Sequence, residues 1–148
     1  MSIFLHMITQ TLAAAVATVG FSLLFGTPAR YYPFCGLIGG AGWLIYITTQ
    51  PFSSAASATF LATVIIIFMS RWFAVRKHCP VTIFLISGLI PLVPGNGLYW
   101  ATYYGVTGNL AMAFQTGLEA FKVAVAIVLG IVFVLEVPQK VFHIGNRA

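Results

Sequence analysis

The stretch "GLIPLVPGNGLYW", residues 88–100, places two prolines and three glycines inside one of the most apolar parts of the chain. Proline lacks a backbone N–H and glycine is conformationally free, so both residues disfavour the interior of a helix. Pro91 removes the donor that would bond the carbonyl of Ser87, and Pro94 removes the donor for the carbonyl of Ile90. The sequence therefore predicts a helix that is broken within this stretch.

The composition assigns the chain to the membrane. Of its 148 residues, 60% are hydrophobic and 6% are charged, and the mean hydropathy is +1.00, whereas soluble domains carry about 25% charged residues. Five apolar runs have about the length that crosses a bilayer. The sequence predicts an all-α integral membrane protein, a single polytopic domain over residues 1–148 with five transmembrane helices. These spans are 3–25, 32–49, 54–73, 81–104 and 110–135.

The basic residues predict the orientation. The net charge of +5 comes from seven Lys/Arg against two acidic residues, and the cations follow the first, third and fifth runs. With five spans all of them lie on one side, which the positive-inside rule assigns to the cytoplasm. We expect a multi-pass protein of the inner membrane with its N-terminus out and its C-terminus in. No basic face with interleaved aromatics indicates nucleic-acid binding. These loop cations, which leave out Lys122 inside the fifth run, are Arg30, Arg71, Arg76, Lys77, Lys140 and Arg147.

The sequence contains few residues and motifs that could support enzymatic catalysis. The chain has no Asp, and the patterns HExxH, GxSxG and CxxC are absent. Cys35 and Cys79 are too isolated for a disulfide framework or a ligand cluster. We therefore expect a protein that is not an enzyme and that has no cofactor and no metal.

Two ionisable residues lie inside the fifth run. Glu119 and Lys122 are three residues apart, so they lie on neighbouring parts of one helix face. Ionisable groups within a membrane mark a functional site by default. Glu119, with Lys122, is the candidate proton-coupling group; the alternative is a self-neutralising pair, or residues that reach the membrane surface. Glu136 is expected at the cytoplasmic interface beside Lys140.

The broken helix is a candidate solute site. The half-helix that ends near Ile90 offers carbonyls, and Asn96 can cap a second half-helix that begins near Leu98, where Gly95 and Gly97 let the chain turn. These two ends match the ammonium and the carboxylate of an amino acid. The alternative is a proline kink that only shapes packing. The predicted substrate-binding residues are Ser87, Ile90, Pro91, Pro94, Gly95, Asn96 and Gly97.

Small residues at a spacing of four predict close helix packing, within the subunit or between subunits. The predicted helix-packing residues are Gly36 and Gly40 on the second run and Gly130 on the fifth. Ala58-x-x-x-Ala62 has the same spacing.

Two stretches resemble the threonine/serine exporter family. "ISGLIPLVPGNGLYW", residues 86–100, resembles its proline-glycine signature, and "AAAVATVGFSLLFGTPARYYPFCGLIGGAGW", residues 13–43, is similar to the first two helices of its small-subunit branch. In that branch the exporter is split between two membrane polypeptides, and the larger one also carries a cytoplasmic segment. The positions that match are Pro91, Pro94 and Gly95 of the signature, together with Arg30 and Gly36.

The resemblance implies export of small hydrophilic solutes, coupled to the proton gradient. Threonine and serine are the solutes of the named members, and dicarboxylates those of some paired systems. We therefore expect a membrane subunit of a secondary exporter that works with a second, larger membrane subunit as a homo- or hetero-oligomer. A dicarboxylate (succinate-type) exporter subunit, a non-transporting structural subunit and a small channel remain alternatives.

Overall fold

The computed structural model describes residues 2–138, with side chains from residue 4 onward. Every regular element in this part of the chain is helical, as the composition predicts. Short 3-10 turns precede α2, follow it, and follow α4. The helices are α1 (Ser2–Leu24), α2 (Tyr32–Thr49), α3 (Ala55–Lys77), α4 (Thr82–Leu89), α5 (Gly95–Val106) and α6 (Leu110–Leu135).

Three helices, α1, α3 and α6, are long and apolar enough to cross a membrane. The predicted fourth run is divided into α4 with its 3-10 turn and α5, and these two segments meet at an angle of 48°. This pair is a further candidate span. α2 occupies the predicted run 32–49, but its 18 residues include four glycines and do not reach the hydropathy of the other helices. Residues 2–138 therefore contain three or four candidate spans by this measure.

The helix ends follow from local sequence. The Ser54 hydroxyl accepts a hydrogen bond from the Ser57 N–H (3.3 Å) at the start of α3, and Asn109 caps α6 by accepting from the Met112 N–H (3.3 Å). Such side chains satisfy amide groups that a helix start leaves open. Gly108, with a φ of +84°, ends α5 in the left-handed region, where a side chain would be strained.

α2 lies at the centre of the fold, between α1, α3 and α4. Its glycines make this possible, because a Cβ on Gly39 would lie 1.9 Å from Oγ1 of Thr18, and one on Gly42 would lie 2.3 Å from Ile66. α5, by contrast, packs mainly against α6, and none of its residues is buried. The centre of the fold is therefore α2, and α5 lies at its edge.

The predicted packing glycines face other helices of the same chain. A methyl group on Gly36 or Gly40 would lie 3.0 or 3.3 Å from side-chain carbons of α1. One on Gly130 would lie 2.8 Å from the side chain of Thr63 in α3. Small residues at this spacing can pack within a subunit or between subunits. These three glycines pack against helices of the same chain.

Arg71 is not a loop cation. Arg71 lies within α3, which continues to Lys77. The prediction ended the third span at residue 73, so Arg76 also lies inside the helix rather than in a loop. Arg71 is buried, and its guanidinium donates a hydrogen bond to the backbone carbonyl of Val134 near the end of α6. The helix continues because "RWFAV" lacks any residue that would stop it, and the chain turns only at His78.

Apart from Lys122 in α6, the remaining described cations lie near one end of the fold. Lys77 lies over the ring of Phe34 at the start of α2, with Nζ 4.6 Å from the ring centroid. Arg30 is exposed in the 3-10 turn immediately before α2. We call this region, with the end of α6 that Arg71 contacts, the basic end. Lys140 and Arg147 lie outside the described residues.

Candidate functional site

At the break between α4 and α5, neighbouring N–H groups form hydrogen bonds with backbone carbonyls, one of which the prolines leave without its helical donor. The Val93 N–H donates to the Ile90 carbonyl (3.2 Å), and the Gly95 N–H donates to the Val93 carbonyl (2.7 Å). With φ −76° and ψ 50°, Pro94 is the centre of an inverse γ-turn. The Ile90 carbonyl, which Pro94 deprives of its helical donor, thus accepts a hydrogen bond from the turn that follows it.

Open donor groups lie on the α5 side of the break. α5 begins at Gly95, earlier than the predicted start near Leu98, and Asn96 is inside its first turn rather than at its cap. Pro94 precedes the helix and provides no side-chain cap. The Leu98 N–H donates to the Pro94 carbonyl (3.1 Å), whereas the N–H groups of Asn96 and Gly97 have no hydrogen-bond acceptor within residues 2–138. Two amide donors are thus open at the positive end of a helix.

Gly97 contributes to packing at the break, whereas nothing lies within 4 Å of a methyl group placed on Gly95. Neither glycine has a positive φ, so the break does not use the left-handed conformation that glycine favours. Gly97 instead faces Ala120 of α6, where an added methyl would lie 3.0 Å from the alanine Cβ. Gly105 faces Ala113 farther along the same helix pair. This α5–α6 seam holds the open end of α5 against the face of α6 that carries Glu119.

A cavity of about 420 Å³ lies at the break. Its walls come from the break, from α6, from aromatic side chains of α2 and from Thr59 of α3. Thr116 and Glu119 reach it from neighbouring turns of α6, and the volume is within the range of small-molecule sites. The cavity is thus lined both by the two residues with open N–H groups and by Glu119.

Glu119 forms an ion pair at the edge of this cavity. Its Oε1 lies 2.8 Å from Nζ of Lys122, and the two side chains are 61% and 50% exposed, respectively. Both residues are near the middle of α6, a helix of 26 residues. Glu119 lines the cavity, but Lys122 is not among its lining residues. The other carboxylate, Glu136, is exposed and follows the last residue of α6.

The structure brings together some of the predicted site residues and separates others. Pro91, Pro94, Asn96 and Gly97 line the cavity together with Glu119. The remaining predicted positions do not line it. Ser87 is buried and its hydroxyl donates to the Ile83 carbonyl (3.3 Å). The positions outside the lining are Ser87, Ile90, Gly95 and Lys122.

Sequence reasoning missed the aromatic wall. Trp43 and Tyr46 of α2 line the cavity, their ring centroids 5.2 Å apart, and Trp43 also donates through Nε1 to Oε1 of Gln10 (3.4 Å). Their spacing of three residues predicts a shared helix face but not what that face contacts. Thr116 could have been found, because it lies one turn before Glu119. No group of three His, Cys, Asp or Glu side chains within residues 2–138 could hold a metal ion.

Together, the long apolar helices and the broken helix define a polytopic helical membrane protein. The profile of the family described as "Threonine/Serine exporter, ThrE" matches residues 10–137. The chain belongs to this family.

An uncharacterized protein from Haemophilus influenzae is 27% identical over 150 residues, which cover 94% of this chain and 48% of that protein. The chain thus spans about half the length of the curated relative that it matches. No solved structure matches the chain significantly.

Proposed function

We propose that this chain is a membrane subunit of a threonine/serine exporter and that the solute binds in the cavity at the α4–α5 break. One observation supports the site above all. Asn96 and Gly97, whose N–H groups are open, and Glu119 line a single cavity. Family membership supplies the solute class, and the cavity supplies a place where its charged groups can be bound.

The cavity suits the chemistry of a small hydroxylated amino acid. A carboxylate at the start of α5 accepts from two backbone donors and is favoured by the helix dipole. An ammonium group is attracted to Glu119, and hydroxyl groups of Thr59 and Thr116 lie in the walls. Binding of both charged ends by the protein replaces the water that the solute loses within the membrane.

The membrane arrangement extends this proposal. With α2 as a fifth span, the basic end lies in the cytoplasm, the N-terminus lies outside, and the protein resides in the inner membrane. Glu119 carries or tunes the coupled proton because it is the carboxylate at depth. A second, larger membrane subunit covers the edge of the fold, where α5 has no buried residue. The length of the relative from Haemophilus influenzae, about twice that of this chain, is consistent with an exporter that needs more than this chain.

The test is counterflow of labelled threonine in liposomes. The chain is reconstituted alone and together with a candidate larger membrane subunit of the same family, empty liposomes are the blank, and succinate is the parallel solute. We expect threonine exchange that the double variant Pro94→Ala/Gly95→Ala impairs, because an alanine N–H at position 94 permits a continuous helix. The matched control is Gly20→Ala/Pro28→Ala, at exposed positions outside the cavity.

Each rival function predicts a different result. Exchange of succinate without exchange of threonine identifies a dicarboxylate exporter. If threonine exchange requires the chain but is unchanged by Pro94→Ala/Gly95→Ala, the chain is a structural subunit. Flux that follows the electrochemical gradient without exchange identifies a channel.

A further inference from the structure

Glu119 has a cation beside it before any solute arrives. Nζ of Lys122 lies 2.8 Å from its Oε1, yet Lys122 itself does not line the cavity. The ammonium group of Lys122 therefore approaches Glu119 from outside the space in which a solute would lie. A lysine ammonium and the ammonium of an amino acid have the same charge and the same three donors.

We propose that Lys122 is a tethered competitor: it occupies the Glu119 carboxylate when the cavity is empty, and the ammonium group of the solute displaces it. The proposal rests on the proposed function, because it assumes that solute binds in the cavity. It gives Lys122 a specificity role. The site then selects solutes that carry an ammonium group over acids of the same shape that lack one.

The exchange is physically balanced. An uncompensated carboxylate at membrane depth is costly, so Glu119 needs a cation in both states. An amino acid brings one, and it also brings a carboxylate, so its arrival leaves the net charge of the site unchanged. A hydroxy acid or a dicarboxylate brings negative charge without a replacement cation, and Lys122 then stays on Glu119.

The Lys122 side chain can be displaced from Glu119 easily. Its side chain is half exposed, and it has four rotatable bonds and a single charged nitrogen. An arginine in its place would hold the carboxylate through two parallel hydrogen bonds and would be harder to displace. A methionine would leave Glu119 unoccupied while keeping an unbranched side chain of similar length.

The experiment measures binding by calorimetry to the full chain in lipid nanodiscs, with L-threonine and with 3-hydroxybutanoate, which is threonine without its amino group. We expect Lys122→Met to tighten threonine binding and Lys122→Arg to weaken it, each by roughly 1.5- to fivefold, the range that corresponds to an exposed ion pair. Binding of 3-hydroxybutanoate should be weaker than that of threonine and should not follow this order. Thermal unfolding of each variant reports whether the fold is intact.

The outcomes separate the two proposals. If threonine binds but Lys122→Arg and Lys122→Met do not change its affinity in opposite directions, Lys122 is only a structural partner of Glu119 and the inference is overturned. If Lys122→Met does not fold, Lys122→Arg alone decides, because a structural ion pair would leave threonine affinity unchanged. If no variant binds threonine, the proposed function itself fails and the inference fails with it.

Discussion

Gly97 of α5 approaches Ala120 of α6 so closely that a methyl group on Gly97 would lie 3.0 Å from the alanine Cβ. Both residues line the cavity. The distance between α5 and α6 at this point therefore sets the width of the candidate site. Helices in membranes commonly use small residues for such contacts, because close approach gains van der Waals packing.

Gly97→Ala should weaken solute binding by separating α5 from α6 at the break. Overpacking at a close contact typically costs about 1–3 kcal/mol, and here the strain falls on a wall of the cavity. The control is Gly105→Ala on the same seam, where the added methyl would lie 4.0 Å from Ala113, an ordinary contact. Threonine affinity in nanodiscs is the measurement. Equal affinities for the two variants would show that the seam does not shape the site.

Gly39→Ala should destabilise the whole fold. The added methyl would lie 1.9 Å from Oγ1 and 2.7 Å from Cβ of Thr18, and that hydroxyl is buried and bonded to the Ala14 carbonyl (2.8 Å). The side chain cannot move away cheaply, so α1 and α2 must separate, at a cost of about 1–3 kcal/mol or more. Thermal unfolding in detergent measures the effect.

Gly20→Ala is the matched control for this variant, since nothing lies within 4 Å of a methyl group at that exposed position of α1. It should be neutral or slightly stabilising, because alanine has the higher helix propensity. Comparable losses of stability in both variants would contradict the close packing of α1 on α2.

The sequence was sufficient for the local features of this fold. The apolar runs 32–49 and 110–135 coincide with α2 and α6, and the Pro/Gly stretch predicts the break. The same local reasoning did not predict the hydrogen bonds of the break, because the Val93 N–H, at the end of the 3-10 turn, bonds the Ile90 carbonyl. Proline positions identify which donors are lost but not which neighbouring amides replace them.

Features that depend on tertiary contacts were not predictable from one sequence. Trp43 and Tyr46 become walls of the cavity because α2 is central, and nothing in their spacing identifies the helix opposite them. Burial of Arg71 depends on the end of α6, 63 residues away in the chain. The spacing of Gly97 and Gly105 indicates a packing face, but its partner on α6 becomes evident only in the structure.

Arg71→Met should loosen the end of α6. The variant removes the hydrogen bond from the guanidinium to the Val134 carbonyl, and hydrogen bonds to charged groups contribute about 1.5–3 kcal/mol. A cation is also favoured at the negative end of the helix. Hydrogen exchange of residues 132–135 should accelerate. Arg76→Met, which removes an exposed guanidinium 4.7 Å from the ring centroid of Trp72, is the control and should leave this exchange unchanged.

Cysteine labelling should locate the basic end in the cytoplasm. Cys79 is half-buried in the connection between α3 and α4 at this end, and Cys35 is buried in α2. A membrane-impermeant maleimide should therefore label Cys79 in inside-out vesicles but not in right-side-out vesicles. Ser53→Cys, made with Cys79→Ala, lies beyond the other end of α2 and should show the reverse pattern. Labelling of Cys79 and of the introduced cysteine from the same side would exclude five spans.

Glu119→Gln should abolish the dependence of export on the proton gradient while the protein remains inserted. Glutamine keeps the shape of the side chain but can no longer take up or release a proton, and it forms no ion pair with Lys122. The measurement is threonine efflux from liposomes with and without an imposed pH difference, and Glu136→Gln, at the end of α6, is the control. If an unpaired Lys122 prevents insertion, the double variant Glu119→Gln/Lys122→Gln removes both charges and permits the same comparison. Efflux that still responds to the pH difference in either inserted variant would assign proton coupling to another residue or to the second subunit.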